Sequence, residues 1–90
     1  MPEDLKTTFS TWQETQDPDD LEIVVGLLEP RISYHLGRLG LGGDPLAHTQ
    51  AKIYTAQAVR SYDPTKGAAL PTWADRNLVQ LQRSNRTRAT

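Results

Sequence analysis

Residues 44–74 read DPLAHTQAKIYTAQAVRSYDPTKGAALPTWA, and this stretch indicates two helices joined by a tight turn. Asp44-Pro45 pairs a residue that caps free helix amides with a proline suited to the first helical turn. Residues at helical spacing then follow, namely Leu46, Thr49, Ile53, Ala56 and either Val59 or Arg60. We therefore expect a helix that runs from this cap to about Ser61.

The segment after this helix has the composition of a turn. Residues 62–67 read YDPTKG, where proline fixes φ and glycine accepts a positive φ. Pro71 is suited to the start of a last helix. We expect that helix to have an apolar side made of Trp73, Leu78 and Leu81 and a basic side made of Arg76, Arg83, Arg86 and Arg88.

The same signals extend toward the N-terminus. We expect a first helix from Pro2 to Thr15, because Leu5, Phe9 and Trp12 share one helical face. Asp17-Pro18 repeats the cap and proline, and Pro30 is expected to kink or divide the helix that follows. Glycines 40, 42 and 43 should end the next segment. Since no segment alternates with a period of two, the sequence predicts an all-α fold, a small bundle of four to five helices.

Acidic and basic residues are unevenly distributed along the chain, although its net charge is only −1. Residues 1–30 contain eight acids and one base, a net charge of −7, whereas residues 31–90 contain nine bases and three acids, a net charge of +6. A basic half of this kind can bind polyanions, although a merely solubilising role is equally consistent with it. We divide the chain into an acidic N-terminal helix (1–16), a helical domain (17–83) and a basic, frayed tail (84–90).

Composition argues against several classes of protein. The absence of cysteine excludes disulfides and thiolate metal sites, and it fits a reducing cytosol. His35 and His48 lie on different predicted helices without a second ligand at zinc-site spacing, so we expect no metal, no cofactor and no catalytic site. No apolar run is long enough to span a membrane.

Residues 58–74 carry the most informative pattern. An alanine-rich helix ends in an aromatic, Asp63-Pro64-x-x-Gly67 follows, and Thr72-Trp73-Ala74 leads into a basic amphipathic helix. This order resembles region two of housekeeping-type bacterial sigma factors, where the same turn precedes the helix that opens promoter DNA. Short, divergent sigma-like proteins encoded by phages are similar as well, and the stretch from Gly42 to Leu46 fits them better.

The resemblance implies a sigma-like transcription factor domain that binds promoter DNA. Trp73 stands where the family has an aromatic that stacks on a flipped base, and Gln80 stands at a position that reads the duplex edge. Where the family carries a tryptophan pair, this sequence has Arg76 and Asn77. The complete set of expected DNA-binding residues is Lys66, Trp73, Arg76, Asn77, Gln80, Arg83, Arg86 and Arg88.

The resemblance also implies a protein partner. The family's helix before the Asp-Pro turn contacts the clamp of core RNA polymerase, which implies polymerase-binding roles for Gln50 and Gln57 in a bacterial cytoplasm. An alternative from another class remains open. The chain could be a protein-interaction or phage virion structural module, with a phage or host protein as its partner, that keeps the helical scaffold without transcription activity.

Overall fold

The computed structural model describes residues 3–82 and contains five α-helices, with no strand among those residues. The helices are α1 (Glu3–Thr15), α2 (Pro18–Leu27), α3 (Glu29–Arg38), α4 (Pro45–Ser61) and α5 (Leu70–Leu78). A short 3-10 turn at Pro64–Lys66 lies between α4 and α5, and residues 80–82 add one helical turn after α5. The predicted all-α bundle is confirmed, and the predicted start at Pro2 lies outside the described residues.

Asp-Pro pairs begin two of the helices, as the sequence predicted. The carboxylate of Asp17 accepts a hydrogen bond from the amide of Asp19 at 2.9 Å, at the start of α2. The carboxylate of Asp44 accepts hydrogen bonds from the amides of Leu46 and Ala47 at 3.0 and 3.3 Å, at the start of α4. Each aspartate satisfies amide groups that the first helical turn leaves without partners.

Pro30 separates α2 from α3, which confirms the predicted break. Leu28 lies between the two helices with φ −94° and ψ 4°, and Pro30 occupies the first turn of α3. Proline has no amide hydrogen and would crowd the preceding turn of an uninterrupted helix. The chain therefore stops one helix at Leu27 and starts another at Glu29.

A left-handed glycine ends α3. Gly40 has φ +70°, and the amide of Leu41 donates to the carbonyl of Leu36 at 2.8 Å. This is the hydrogen bond of a Schellman motif, in which glycine supplies the positive φ at the end of the helix. The glycines therefore end this helix, as their positions indicated.

The core receives side chains from all five helices. Helix α1 contributes Leu5, Phe9 and Trp12, which are 3–7% exposed, and it packs mainly on α2. Helix α5 packs mainly on α4 and buries Leu70, Ala74 and Leu78. The largest fully buried side chains include Leu28, Ile32 and Leu36 from the middle of the chain and Leu70 and Leu78 from α5.

Helix α4 buries a different face from the one that its larger apolar residues mark. Leu46 and Ile53 are 61% and 47% exposed, whereas the buried residues are Ala47, Ala51, Thr55, Ala58 and Val59. Small side chains allow neighbouring helices to approach closely, and the hydroxyl of Thr55 is satisfied by the carbonyl of Ala51 at 2.8 Å. The apolar stripe predicted the helix itself, but of its residues only Val59 is fully buried in the core.

Two histidine–carboxylate contacts link α3 to its neighbours. Nε2 of His48 in α4 lies 2.6 Å from Oε1 of Glu29, and Nε2 of His35 lies 3.1 Å from Oδ1 of Asp75 in α5. Arg31 also donates to Asp75, at 3.1 Å. The contacts of Arg31 and His35 with Asp75 hold α5 beside α3, and the contact of His48 with Glu29 joins α4 to α3.

Candidate nucleic-acid interface

The turn between α4 and α5 is held by Asp63. Its Oδ1 accepts a hydrogen bond from the amide of Thr65 at 2.9 Å and one from the Thr65 hydroxyl at 2.7 Å. Gly67 then takes φ +89°, a conformation that favours glycine. The chain reverses direction within these few residues and leads into α5.

These hydrogen bonds favour the ionised form of Asp63. The hydroxyl of Thr65, and then its amide, donate to the carboxylate and lower the pKa of Asp63 below its ordinary value of 3.8. The charged carboxylate therefore remains part of the turn at neutral pH.

Tyr62 ties this turn to two other parts of the bundle. Its hydroxyl donates to the carbonyl of Ala68 at 2.7 Å, across the turn. Its ring meets the ring of Phe9 in α1 edge to face, with centroids 5.3 Å apart and an interplanar angle of 69°. Tyr62 is thus fixed at both ends of its side chain, and its position depends on α1.

Trp73 lies at the rim of the core, half-buried in the second turn of α5. Its indole N–H donates to the hydroxyl oxygen of Ser61 at 3.1 Å, and that hydroxyl donates to the carbonyl of Gln57 at 2.9 Å. This hydrogen bond joins the end of α4 to α5 and fixes the direction of the indole ring.

Trp73 and the turn enclose a cavity of about 310 Å³. Its wall combines aromatic, cationic and polar groups, namely Ser61, Tyr62, Asp63, Lys66, Ala68, Trp73 and Arg76. Lys66 and Arg76 are both exposed, so two positive charges stand against the single carboxylate of Asp63. An aromatic wall with cations at its edge can accept an unpaired base and bind its phosphates.

The structure brings together three of the expected DNA-binding residues around this cavity, Lys66, Trp73 and Arg76. Asn77 is half-buried, and its side-chain amide donates to the carbonyl of Trp73 at 3.0 Å, inside the helix. Gln80 is half-buried in the last described helical turn and does not line the cavity. Three further expected residues lie outside the described part of the chain: Arg83, Arg86 and Arg88.

The two glutamines expected to bind polymerase both lie on α4, seven residues apart. Residues at this spacing share a helical face. Gln57 is exposed, and Gln50 is half-buried. Neither side chain lines the Trp73 cavity.

Sequence reasoning did not identify Ser61 or Tyr62 as parts of this site. Tyr62 could be recognised only as an aromatic before a turn, which is equally typical of a core residue. The partnership of Ser61 with Trp73 spans twelve residues and depends on how α5 is rotated against α4. The sequence signal for Ser61 and Tyr62 is only that both residues directly precede the Asp63-Pro64 turn.

A second concave surface lies between α2 and α4 and is mainly apolar. It has a volume of about 450 Å³, and its walls include Leu21, Val25 and Ile53. Charged residues are also present on it, with Glu29 on one side and Lys52 on the other. Thr49, Ile53 and Ala56 of the α4 stripe therefore line this groove, whereas Leu46 does not.

The described residues contain no group of three or more His, Cys, Asp or Glu side chains placed to hold a metal ion. Within residues 3–82, every helix is too short or too polar to cross a membrane. Comparisons of this chain with protein-family models, with curated proteins and with solved structures find no match.

Proposed function

We propose that this chain is a sigma-like transcription factor domain that binds core RNA polymerase and an unpaired strand of promoter DNA. The observation that carries the proposal is the cavity in which Trp73 lies beside Lys66 and Arg76. The indole ring offers a stacking surface to a base, and the two cations neutralise phosphates on either side of it.

The residues after Trp73 refine this proposal. The family's tryptophan pair, which wedges the duplex apart, is replaced here by Arg76 and Asn77. Arg76 adds charge at the cavity, and Asn77 is engaged with the backbone of its own helix. We infer that the domain captures a base that is already unpaired rather than forcing strands apart.

Binding to labelled DNA tests the DNA part of the proposal. The full chain should bind a single-stranded oligonucleotide more tightly than the same sequence as a duplex, measured by fluorescence anisotropy. Trp73→Ala should weaken single-strand binding by about 1–3 kcal/mol, the usual contribution of one base–aromatic stack. Trp73→Phe retains a stacking ring and is the matched control. Equal binding by the parent and Trp73→Ala would contradict the proposal.

Co-purification with bacterial core RNA polymerase tests the polymerase-binding part of the proposal. A Gln50→Ala/Gln57→Ala variant should lose polymerase while it still binds single-stranded DNA. Lys52→Ala, an exposed change on the same helix, serves as the control for surface changes on α4. Retention of polymerase by the double variant would show that these glutamines are not its contacts.

The second candidate function is a protein-interaction or virion structural module on the same scaffold. The observation that favours it is the apolar groove between α2 and α4, where Ile53 is 47% exposed. Under this function Ile53→Ala should abolish partner binding, and the parent domain should bind neither single-stranded nor duplex DNA.

A further inference from the structure

Tyr34 is an exposed aromatic residue that the bundle does not use for packing. It is 57% exposed, and the other aromatic side chains of residues 4–82 are buried or half-buried. Its ring and the His35 ring form a T-shaped pair, with centroids 5.5 Å apart and an interplanar angle of 87°. The guanidinium carbon of Arg38 lies 5.8 Å from the Tyr34 ring centroid. An exposed ring with a guanidinium group over it is a suitable platform for a base.

The charge around Tyr34 favours an anion. Glu29, the carboxylate of α3, lies in its first turn and is engaged by His48. Asp75 is engaged by Arg31 and His35, so the positive charge of Arg31 is largely offset. Arg38 has no carboxylate partner among the described residues 3–82. Within that part of the chain, Arg38 therefore contributes an unpaired positive charge beside the Tyr34 ring.

Helix α5 lies between the surface formed by Tyr34 and Arg38 and the Trp73 cavity. A third cavity, of about 260 Å³, lies between α3 and the end of α5, and its lining includes His35, Arg38, Val79 and Gln82. Asp75 faces α3, whereas the next residue, Arg76, lines the Trp73 cavity. The two surfaces are thus on opposite flanks of one helix, whose diameter with side chains is about 10–12 Å.

We propose that Tyr34 and Arg38 form a second stacking site for the same single strand. A strand whose base stacks on Trp73 crosses the exposed side of α5 and stacks a later base on Tyr34, with Arg38 against its phosphate. This inference rests on the proposed DNA-binding function, because Trp73 supplies the first contact. It adds an element, α3, that the sequence did not suggest.

Oligonucleotide length separates the two sites. The full chain and its variants are titrated with labelled oligothymidines of three and twelve nucleotides at constant salt. Tyr34→Ala should weaken the twelve-nucleotide complex about 5- to 150-fold and leave the three-nucleotide complex unchanged, because the short strand reaches only one platform. Trp73→Ala should weaken both complexes.

Control variants separate the contribution of the Tyr34 ring to binding from that of the Arg38 charge. Tyr34→Phe should bind like the parent, and Ser33→Ala, an exposed change on the same helix, should have no effect. Arg38→Ala should weaken the long complex and reduce its salt dependence. Since Tyr34 is exposed, thermal unfolding of Tyr34→Ala should match that of the parent.

Each outcome decides one of the two proposals. If Tyr34→Ala binds the long strand as the parent does, the second site is wrong, and the Trp73 site stands if Trp73→Ala weakens binding. Binding that depends on Tyr34 but not on Trp73 supports this surface and overturns the Trp73 function. If Tyr34→Ala no longer co-purifies with polymerase but still binds the strand as the parent does, the surface is a protein contact, and the inference is overturned. Failure of the parent to bind either strand overturns both proposals.

Discussion

The two tryptophans of this chain lie in contrasting regions. Trp12 in α1 is 7% exposed and packs against Phe9, with ring centroids 6.0 Å apart, in the acidic part of the chain. Trp73 in α5 is half-buried and faces a cavity with Lys66 and Arg76 in the basic part. Both residues lie at helical spacing from other apolar residues, so spacing alone does not distinguish a core aromatic from a binding aromatic. Their surroundings differ, since the Trp73 indole donates to a polar residue, Ser61, at the edge of the core.

Stability should separate the two tryptophans most strongly. Trp12→Ala should lower the free energy of unfolding by about 3–5 kcal/mol, because it empties a buried site. Trp73→Ala should cost clearly less, since its side chain already borders solvent and a cavity. Urea unfolding followed by circular dichroism measures both values. Equal losses would place Trp73 in the core and remove the contrast.

The capping aspartates of the two regions, Asp17 and Asp63, should have different effects on stability and on strand affinity. Asp17→Ala should destabilise the domain by about 0.5–2 kcal/mol through the start of α2, without changing strand affinity. Asp63→Ala loosens the turn beside Trp73 and should change strand affinity as well as stability. Parallel unfolding and anisotropy measurements on the two variants test this. An equal effect on binding would mean that the turn does not position the cavity.

The salt dependence of strand affinity tests whether the positive charge at the Trp73 cavity acts locally. Arg76→Ala should reduce the slope of log affinity against log salt concentration by about 0.7, the value for one phosphate contact on a single strand. Arg60→Ala, an exposed arginine of α4 that does not line the cavity, is the matched control and should leave the slope unchanged. A similar change in both variants would indicate diffuse attraction rather than a local contact.

The smallest expected effect is a pH dependence of the turn. Hydrogen bonds from Thr65 lower the pKa of Asp63 below 3.8, so the charged carboxylate stabilises the folded state above that pH. This stabilisation should disappear as the pH falls through the lowered pKa. The difference in unfolding free energy between the parent and Asp63→Asn should therefore shrink below pH 3.8. Thr65→Ala removes the hydroxyl donor and should raise the pKa of Asp63, measured by NMR titration.

The features that sequence predicted well are those encoded within a few residues. The break at Pro30, the caps at Asp17 and Asp44 and the positive φ of Gly67 each follow from local chemistry. The predicted helices are confirmed for the same reason. A proline or a capping aspartate acts on the amide groups next to it, whatever the rest of the chain does.

The features that sequence missed depend on how helices are rotated against one another. The buried side of α4 is its alanine side, although Ile53 is more apolar and is exposed. The contact of His35 with Asp75 joins residues forty positions apart, and no short-range pattern marks it. The candidate site divides in the same way, since Trp73 stands out in the sequence whereas its partner Ser61 does not.

The contact between Phe9 and Tyr62 gives the first helix a thermodynamic connection to the cavity. Docking of α1 holds the Tyr62 ring, and Tyr62 is a wall of the cavity. Linkage is reciprocal, so a ligand that binds better when Tyr62 is held must also favour the docked state of α1 by the same free energy. Under the proposed function, amide hydrogen exchange in α1 should therefore report strand binding at Trp73. Helix α1, none of whose residues line that cavity, would then be part of its binding equilibrium.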